Sequence, residues 1–195
     1  RAIMDCAEKG VPAVILVSAG FAETGREGAK RQERISAIAR ESGMRVIGPN
    51  CMGLFNTSAR FFGTFATLFA KPYEKGPKPG HLSVISQSGA FGAHVFTLVR
   101  RRGAGFNKWV TTGNQCDVTF ADCLAHIADD NETKVVAGYM EGCRDPETLV
   151  RALDLARANG KPVVMLKVGS SRIGAQAAMS HTGSLAGSDQ VYGAL

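Results

Sequence analysis

The feature that most constrains the fold of this chain is the regular alternation of short apolar runs with helical patterns. The apolar runs are residues 13–17, 45–48, 82–86, 106–111, 135–140 and 162–167. The segments between them repeat apolar residues at helical spacing, as in Phe120, Leu124 and Ile127. Strands that alternate with helices of this length form βαβ units around a parallel sheet. We therefore predict an α/β protein with a parallel sheet.

Two helix starts carry recognisable capping signals. Thr24 and Glu27 have the spacing of a capping box and predict a helix that runs toward Gly43. Asp145 followed by Pro146 predicts a second helix, which Gly160 would end.

The alternation is interrupted by residues 55–80, an irregular segment rich in Phe, Gly, Pro and Lys. Within it, residues 71–80 are the best linker candidate. We predict two α/β pieces, residues 1–78 and residues 79–195, of which the second is flavodoxin-like. The first six residues have the composition of a helix interior and lack a start methionine, so we expect that part of the first domain lies upstream.

Composition excludes several classes of function. The formal net charge is +6, but the basic residues are spread among acids, so we expect no nucleic-acid partner. The five cysteines form no CxxC pair, which disfavours a zinc site or a disulfide framework and favours reduced thiols in the cytoplasm. The histidines at 81, 94 and 126 lack metal-ligand spacing, so we predict no metal site. No run approaches the roughly 18 apolar residues of a membrane helix.

Polar and small residues follow several of the predicted strands, at the edge of the sheet where parallel sheets bind ligands. Ser86, Ser88 and Gly89 lie at a strand-to-helix turn, where the backbone N–H groups of a helix start favour a phosphate or carboxylate. An ordinary serine N-cap with a tight turn would require the same residues. Both interpretations remain open from the sequence.

A single histidine, His181, lies in a loop of small residues after the last strand. It belongs to no apolar stripe, which disfavours a packed core role, although a solvated surface histidine has the same pattern. Imidazole is a nucleophile near neutral pH and can form a covalent phosphoramidate. Glu141 follows a neighbouring strand and is a candidate to fix the reacting nitrogen; a simple surface acid is the alternative.

Four motifs occur in an order that matches a known family. They are Gly48-Pro49-Asn50-Cys51-Met52-Gly53, Val84-Ile85-Ser86-Gln87-Ser88-Gly89-Ala90, Gly113-Asn114-Gln115-Cys116-Asp117-Val118 and Ser180-His181-Thr182-Gly183. With them the chain resembles the α part of the ADP-forming acyl-CoA synthetases, the NDP-forming acetate–CoA ligases related to the succinyl-CoA synthetase α subunit. The resemblance implies the tail of a CoA-binding Rossmann-like domain followed by a flavodoxin-like domain.

The resemblance also implies a reaction. Acyl-CoA and phosphate would give acyl phosphate and CoA, and the acyl phosphate would phosphorylate a histidine that then makes ATP from ADP. The implied partners are CoA, a carboxylic acid, phosphate, and a nucleotide-grasping domain or β subunit in an oligomer. The ADP or ATP with Mg²⁺ would bind outside this chain.

Site residues follow from the resemblance by position. His181 matches the phosphorylated histidine and Glu141 the acid that steadies it. Ser86, Ser88 and Gly89 match the helix start that holds the phosphoryl group. Asn50 and Cys51 match the segment near the CoA thiol and the acyl site. Ser18, Ala19 and Gly20 match a loop that contacts CoA.

Departures from the family pattern limit what is expected. The glycine-rich CoA loop is missing. Met52 replaces a proline, and Ala93 a tyrosine, of the succinate-specific enzymes, which argues against succinate and leaves acetate-like, branched or aromatic acids open. The alternatives are a non-catalytic acyl-CoA-binding regulatory module fused to another enzyme and an unrelated flavodoxin-like binding domain. The presence of His181 disfavours the regulatory module, and the four ordered motifs disfavour the unrelated domain, since flavin binding would not require His181 with Glu141.

Overall fold

A computed structural model describes residues 1–67 and 76–169. Its helices are α1 (Ala2–Glu8), α2 (Arg26–Ser42), α3 (Gly89–Arg101), α4 (Phe120–Asp129) and α5 (Pro146–Ala158), with a 3-10 turn at Ala22–Thr24. Its strands are β1 (Ala13–Ile15), β2 (Arg45–Ile47), β3 (Gly53–Asn56), β4 (Phe61–Thr64), β5 (Pro79–Ser86), β6 (Phe106–Thr111), β7 (Val135–Met140) and β8 (Val163–Lys167). Each apolar run predicted as a strand forms one, and the α/β class is confirmed.

The strands form two sheets. β1 and β2 pair in parallel, and the other strands form a six-stranded sheet in the order β4-β3-β6-β5-β7-β8. Strands β5 to β8 are mutually parallel where they pair, whereas β3 runs antiparallel to both β4 and β6. The parallel strands therefore end at one common edge, which is where the candidate site lies.

The prediction of an irregular segment from residue 55 was wrong in part, because β3 and β4 form a hairpin on the edge of the larger sheet. Phe55 of β3 is fully buried and stacks on Trp109 of β6 at 5.7 Å. This pairing joins segments far apart in the chain, and a four-residue strand has too short a pattern to reveal it. Half of the predicted linker, residues 71–75, lies outside the described residues, and the division at residue 78 stays a prediction.

Helices cover both faces of the larger sheet. Helices α4 and α5 pack together over Ile85, Val136 and Met140. Helix α3 packs on the opposite side, where Trp109 Nε1 donates a buried hydrogen bond of 2.9 Å to the Gly92 carbonyl. Among the helices of the described residues, none combines the length and apolar character needed to cross a membrane.

The capping prediction for α2 was wrong, because the helix begins at Arg26 with Gly25 as its N-cap. Thr24 Oγ1 donates to the Phe21 carbonyl at 2.8 Å and so stabilises the preceding 3-10 turn. A longer-range contact of Glu23, described below, fixes this turn and overrides the local signal. The Asp145 prediction is confirmed, since its carboxylate accepts the Thr148 N–H at 2.9 Å.

A partly buried ion pair stabilises the sheet at the edge where the parallel strands begin. Lys108 Nζ lies 2.8 Å from Asp130 Oδ2, with side chains 9% and 18% exposed. The same oxygen accepts hydrogen bonds from Asn107 and Thr133. Burial raises the pKa of Asp130, but the hydrogen bonds from Lys108 and Thr133 outweigh it and lower the pKa to about 2.

Asp130→Asn is expected to lower the free energy of unfolding by about 3 kcal/mol, since Lys108 would remain buried without its counter-charge. Asp129→Asn is the matched control, because Asp129 is the exposed neighbour, and a change within about 0.5 kcal/mol is expected. Because the pKa of Asp130 is lowered, its contribution is complete above pH ~4 and is lost as the pH falls through about 2. Urea denaturation at neutral and acidic pH measures both effects. Equal stability of the two variants at neutral pH would contradict the account.

Candidate active site

A cleft of about 320 Å³ lies at the edge where the parallel strands end, between the two sheets. Its lining residues are Val17, Ala19, Asn50, Cys51, Met52, Phe65, Gln87, Ser88, Gly89, Ala90, Gly113 and Asn114. The structure thus brings three of the predicted segments together, represented by Ala19, Cys51 and Ser88. The remaining members of these segments, Ser18, Gly20 and Ser86, directly adjoin lining residues.

The serine turn, residues 86–89, connects β5 to α3. Ser88 is the N-cap of α3, and its Oγ accepts the Phe91 N–H at 3.2 Å. The buried Ser86 hydroxyl donates to the Ser88 carbonyl at 2.6 Å. Both hydroxyls therefore shape the turn, as in the N-cap interpretation. The N–H groups of the first helical residues, Gly89 and Ala90, have no acceptor within a helix, and both residues line the cleft; free N–H groups at a helix start favour an anion.

Gly89 lets α3 begin against the cleft floor. A Cβ at this position would lie 2.7 Å from Met52 Cγ. The start of α3 is therefore in direct contact with Met52, next to Asn50 and Cys51.

Gln87 joins the serine turn to the end of β7. Its Oε1 accepts the N–H groups of Glu141 at 2.6 Å and Gly142 at 3.0 Å. Its Nε2 donates to the Gly142 carbonyl at 2.6 Å. The Gln87 amide thus fixes the backbone of Glu141 beside the turn. Sequence reasoning assigned no role to Gln87, and its position between the two serines was the only available signal.

Glu141 is 5% exposed, so the surface-acid alternative is wrong. Its Oε2 is buried and has no hydrogen-bond partner within residues 1–67 and 76–169. A buried carboxylate oxygen without a donor is costly, so it indicates a site for a donor that binds there. His181, the predicted donor, lies outside the described residues.

Tyr139 supports the Glu141 carboxylate from two residues upstream in β7. Its ring stacks on Phe91 with centroids 4.2 Å apart, which ties it to the first turn of α3. Burial, followed by the charge and hydrogen bond of Glu141, raises the pKa of the Tyr139 hydroxyl. Tyr139 therefore stays protonated and able to donate to the carboxylate at neutral pH.

On the other side of the cleft, the chain after β1 contacts the chain after β2. The Asn50 N–H donates to the Ser18 carbonyl at 2.9 Å. Cys51 is 3% exposed and its Sγ lies 3.6 Å from the Leu16 carbonyl. Because burial raises the pKa of this thiol, Cys51 remains protonated and is suited to line the cleft rather than to act as a nucleophile.

Gly113, in the loop after β6, allows close contact with the segment that follows β2. It has a φ of +56°, and a Cβ there would lie 2.2 Å from the Pro49 carbonyl oxygen. The next residue, Asn114, donates its backbone N–H to the same oxygen at 2.9 Å. The chain after β6 is therefore pressed against the segment that contains Asn50.

Comparison with known proteins finds a family match for the N-terminal part of the chain and another for the C-terminal part. A family model for the succinyl-CoA ligase-like flavodoxin domain matches residues 79–195, and a model for a CoA-binding domain matches residues 1–57. The chain belongs to the succinyl-CoA ligase-like flavodoxin domain family. The resemblance to ADP-forming acyl-CoA synthetases, predicted from the motifs, is confirmed.

Members of this family with assigned activities resemble the chain along nearly all of its length. The α subunit of acetate–CoA ligase [ADP-forming] II from Pyrococcus furiosus is 42% identical, over 98% of this chain and 40% of that protein. The 4-hydroxybutyrate–CoA ligase [ADP-forming] of Nitrosopumilus maritimus is 37% identical, over 98% of this chain and 27% of that protein.

A solved structure has the same fold. The acetyl-coenzyme A synthetase 1 of Ca. Korarchaeum cryptofilum, in complex with phosphate and ADP, superposes with a TM-score of 0.84 and 34% identity. The match covers 98% of this chain and 40% of that one. The chain therefore spans less than half the length of these family members.

Proposed function

We propose that this chain is the CoA-binding and phosphohistidine-bearing part of an NDP-forming acyl-CoA synthetase, an acid–thiol ligase of the cytoplasm. The complete enzyme interconverts acyl-CoA, phosphate and ADP with a carboxylic acid, CoA and ATP. The observation that carries this proposal is the buried Oε2 of Glu141, which has no hydrogen-bond partner among the described residues and lies next to a helix start that opens into the cleft. The activities assigned to the relatives support it.

In the first step, phosphate bound at the N–H groups of Gly89 and Ala90 attacks the carbonyl carbon of the thioester. A phosphate oxygen forms the new O–C bond as the C–S bond breaks, and CoA leaves as a thiolate that takes up a proton. The helix start stabilises the negative charge of phosphate. Residues 18–20 hold CoA, and Asn50 and Cys51 border the acyl group.

In the second step, one ring nitrogen of His181 attacks the phosphorus of the acyl phosphate, and the carboxylate leaves. The other ring nitrogen donates a hydrogen bond to Glu141 Oε2, which has no donor among the described residues. The Glu141 carboxylate also stabilises the positive charge that develops on the imidazole ring of His181. Ser86, Ser88 and Gly89 hold the phosphoryl group through the geometry of the serine turn.

The final transfer to ADP requires parts outside this chain. We assign ADP and Mg²⁺ to a nucleotide-grasping domain or β subunit that associates with this chain in an oligomer. The proposed domains are residues 1–78, with CoA binding, and residues 79–195, with the phosphohistidine loop. The family members that exceed this chain in length have room for such a domain.

Glu141→Gln is expected to slow histidine phosphorylation about 100-fold while the protein remains folded, because the amide keeps the shape but loses the charge that stabilises the ring. Single-turnover incorporation of labelled phosphate from acyl-CoA measures the rate. Glu147→Gln is the matched control, because Glu147 is exposed in the first turn of α5. A wild-type rate in Glu141→Gln would remove Glu141 from the mechanism.

A further inference from the structure

The carboxylate of Glu23 bonds to both halves of the cleft. Its Oε1 accepts the backbone N–H groups of Gly20 at 2.6 Å and Phe21 at 3.1 Å. Its Oε2 accepts a hydrogen bond from Asn114 Nδ2. Gly20 belongs to the segment assigned to CoA, whereas Asn114 lies in the loop after β6 and lines the cleft. Glu23 itself is not among the lining residues.

The hydrogen bonds of Asn114 leave it a single orientation. Its Nδ2 donates to Glu23 and, at 2.9 Å, to Gln32 Oε1, while its Oδ1 accepts from Asn50 Nδ2 at 3.2 Å. Both amide hydrogens are therefore used, and Asn114 is only 2% exposed. Gln32 Oε1 also accepts the Ala22 N–H at 3.3 Å, which adds a second link to the same turn.

The charge of Glu23 strengthens this link. Burial raises the pKa of Glu23, but hydrogen bonds from Asn114 and from the backbone outweigh burial and lower it below its usual value. The carboxylate is therefore ionised at neutral pH, and hydrogen bonds to a charged acceptor are stronger than those to a neutral one. A glutamine at position 23 has an NH₂ group in place of one carboxylate oxygen. This NH₂ group would face either the Asn114 donor or the backbone donors of Gly20 and Phe21, and would lose those hydrogen bonds.

We propose that Glu23 is a positioning residue that holds the CoA-contacting segment, residues 18–20, against the acyl and phosphate cleft. This inference rests on the proposed function. Glu23 acts through Gly20 and Asn114 and sets where the thioester meets phosphate. It has no part in phosphoryl transfer between acyl phosphate, His181 and ADP, because CoA takes no part in those steps.

The test separates the two half-reactions in the complete enzyme. For Glu23→Gln, we expect the KM for CoA in thioester formation to rise about tenfold with little change in kcat. ATP formation from acyl phosphate and ADP, measured without CoA, should stay within about twofold of wild type. Glu27→Gln is the control, because Glu27 is 77% exposed and pairs with Lys30 on the surface. It should leave both reactions unchanged.

An unchanged KM for CoA in Glu23→Gln would overturn the proposal, and so would an equal loss in both half-reactions. If this variant does not fold, Glu23→Asp provides the second test, because it keeps the charge, shortens the reach and should show the same selective rise in KM. Failure of the unaltered enzyme to make ATP from acyl phosphate would instead overturn the proposed function.

Discussion

Replacing Gly113 with alanine is expected to destabilise the protein by about 3 kcal/mol and to slow thioester formation at least tenfold. The left-handed backbone, with φ of +56°, costs an ordinary residue about 1–2 kcal/mol. The added methyl would also lie 2.2 Å from the Pro49 carbonyl oxygen and 2.6 Å from that of Asn50, and such overpacking costs about 1–3 kcal/mol more. Relief of the clash must move the segment that contains Asn50 and Cys51.

Gly103→Ala isolates the backbone cost from the steric clash. Gly103 has a φ of +73°, but no heavy atom lies within 4 Å of its Cβ position. We expect a loss of about 1 kcal/mol and full activity. Urea denaturation and the rate of thioester formation compare the two variants. Equal losses of stability and activity would show that the contact with Pro49 does not shape the cleft.

The parallel strands could be predicted because their signal is local. Val84 and Ile85 stand in a continuous apolar run, and both are buried in β5. The hairpin of β3 and β4 gave no such signal, because Phe55 owes its burial to Trp109, which lies on a strand distant in sequence. Strand pairing of this kind is decided by tertiary contacts rather than by the short segment itself.

The start of α2 shows the same limit at the level of single residues. Thr24 and Glu27 have capping-box spacing, but Glu23 binds Asn114, 91 residues away, and holds the chain in a 3-10 turn. The capping box of the described chain forms instead at Thr119 and Asp122.

Ligands bind at the edge where parallel strands end, and this rule predicted that the serine turn and Glu141 lie at the same edge of the sheet. It could not predict the residues that join them. Gln87 reaches Glu141 across 54 residues of sequence, and the three hydrogen bonds of its side chain to backbone depend on the pairing of β5 with β7. The role of Tyr139 could not be predicted either, since the sequence pattern identifies it only as a residue within a predicted strand.

His181 is the residue that we propose to carry the phosphoryl group. Complete enzyme incubated with acyl-CoA and labelled phosphate should acquire a phosphoryl group that is acid-labile and base-stable, as expected for phosphohistidine. His181→Ala should reduce the label to background, because no other side chain is proposed to accept it. His126→Ala is the control, because His126 is exposed on α4 and away from the cleft, and it should keep the label.

The same measurement separates the enzyme from a regulatory module. A module would bind acyl-CoA without acquiring label. Mass spectrometry of the labelled peptide locates the modified residue. We expect a phosphoryl group on His181 in wild type and in His126→Ala, and none in His181→Ala. Full labelling of His181→Ala, or no labelling of the complete wild-type enzyme, would contradict the proposed phosphohistidine.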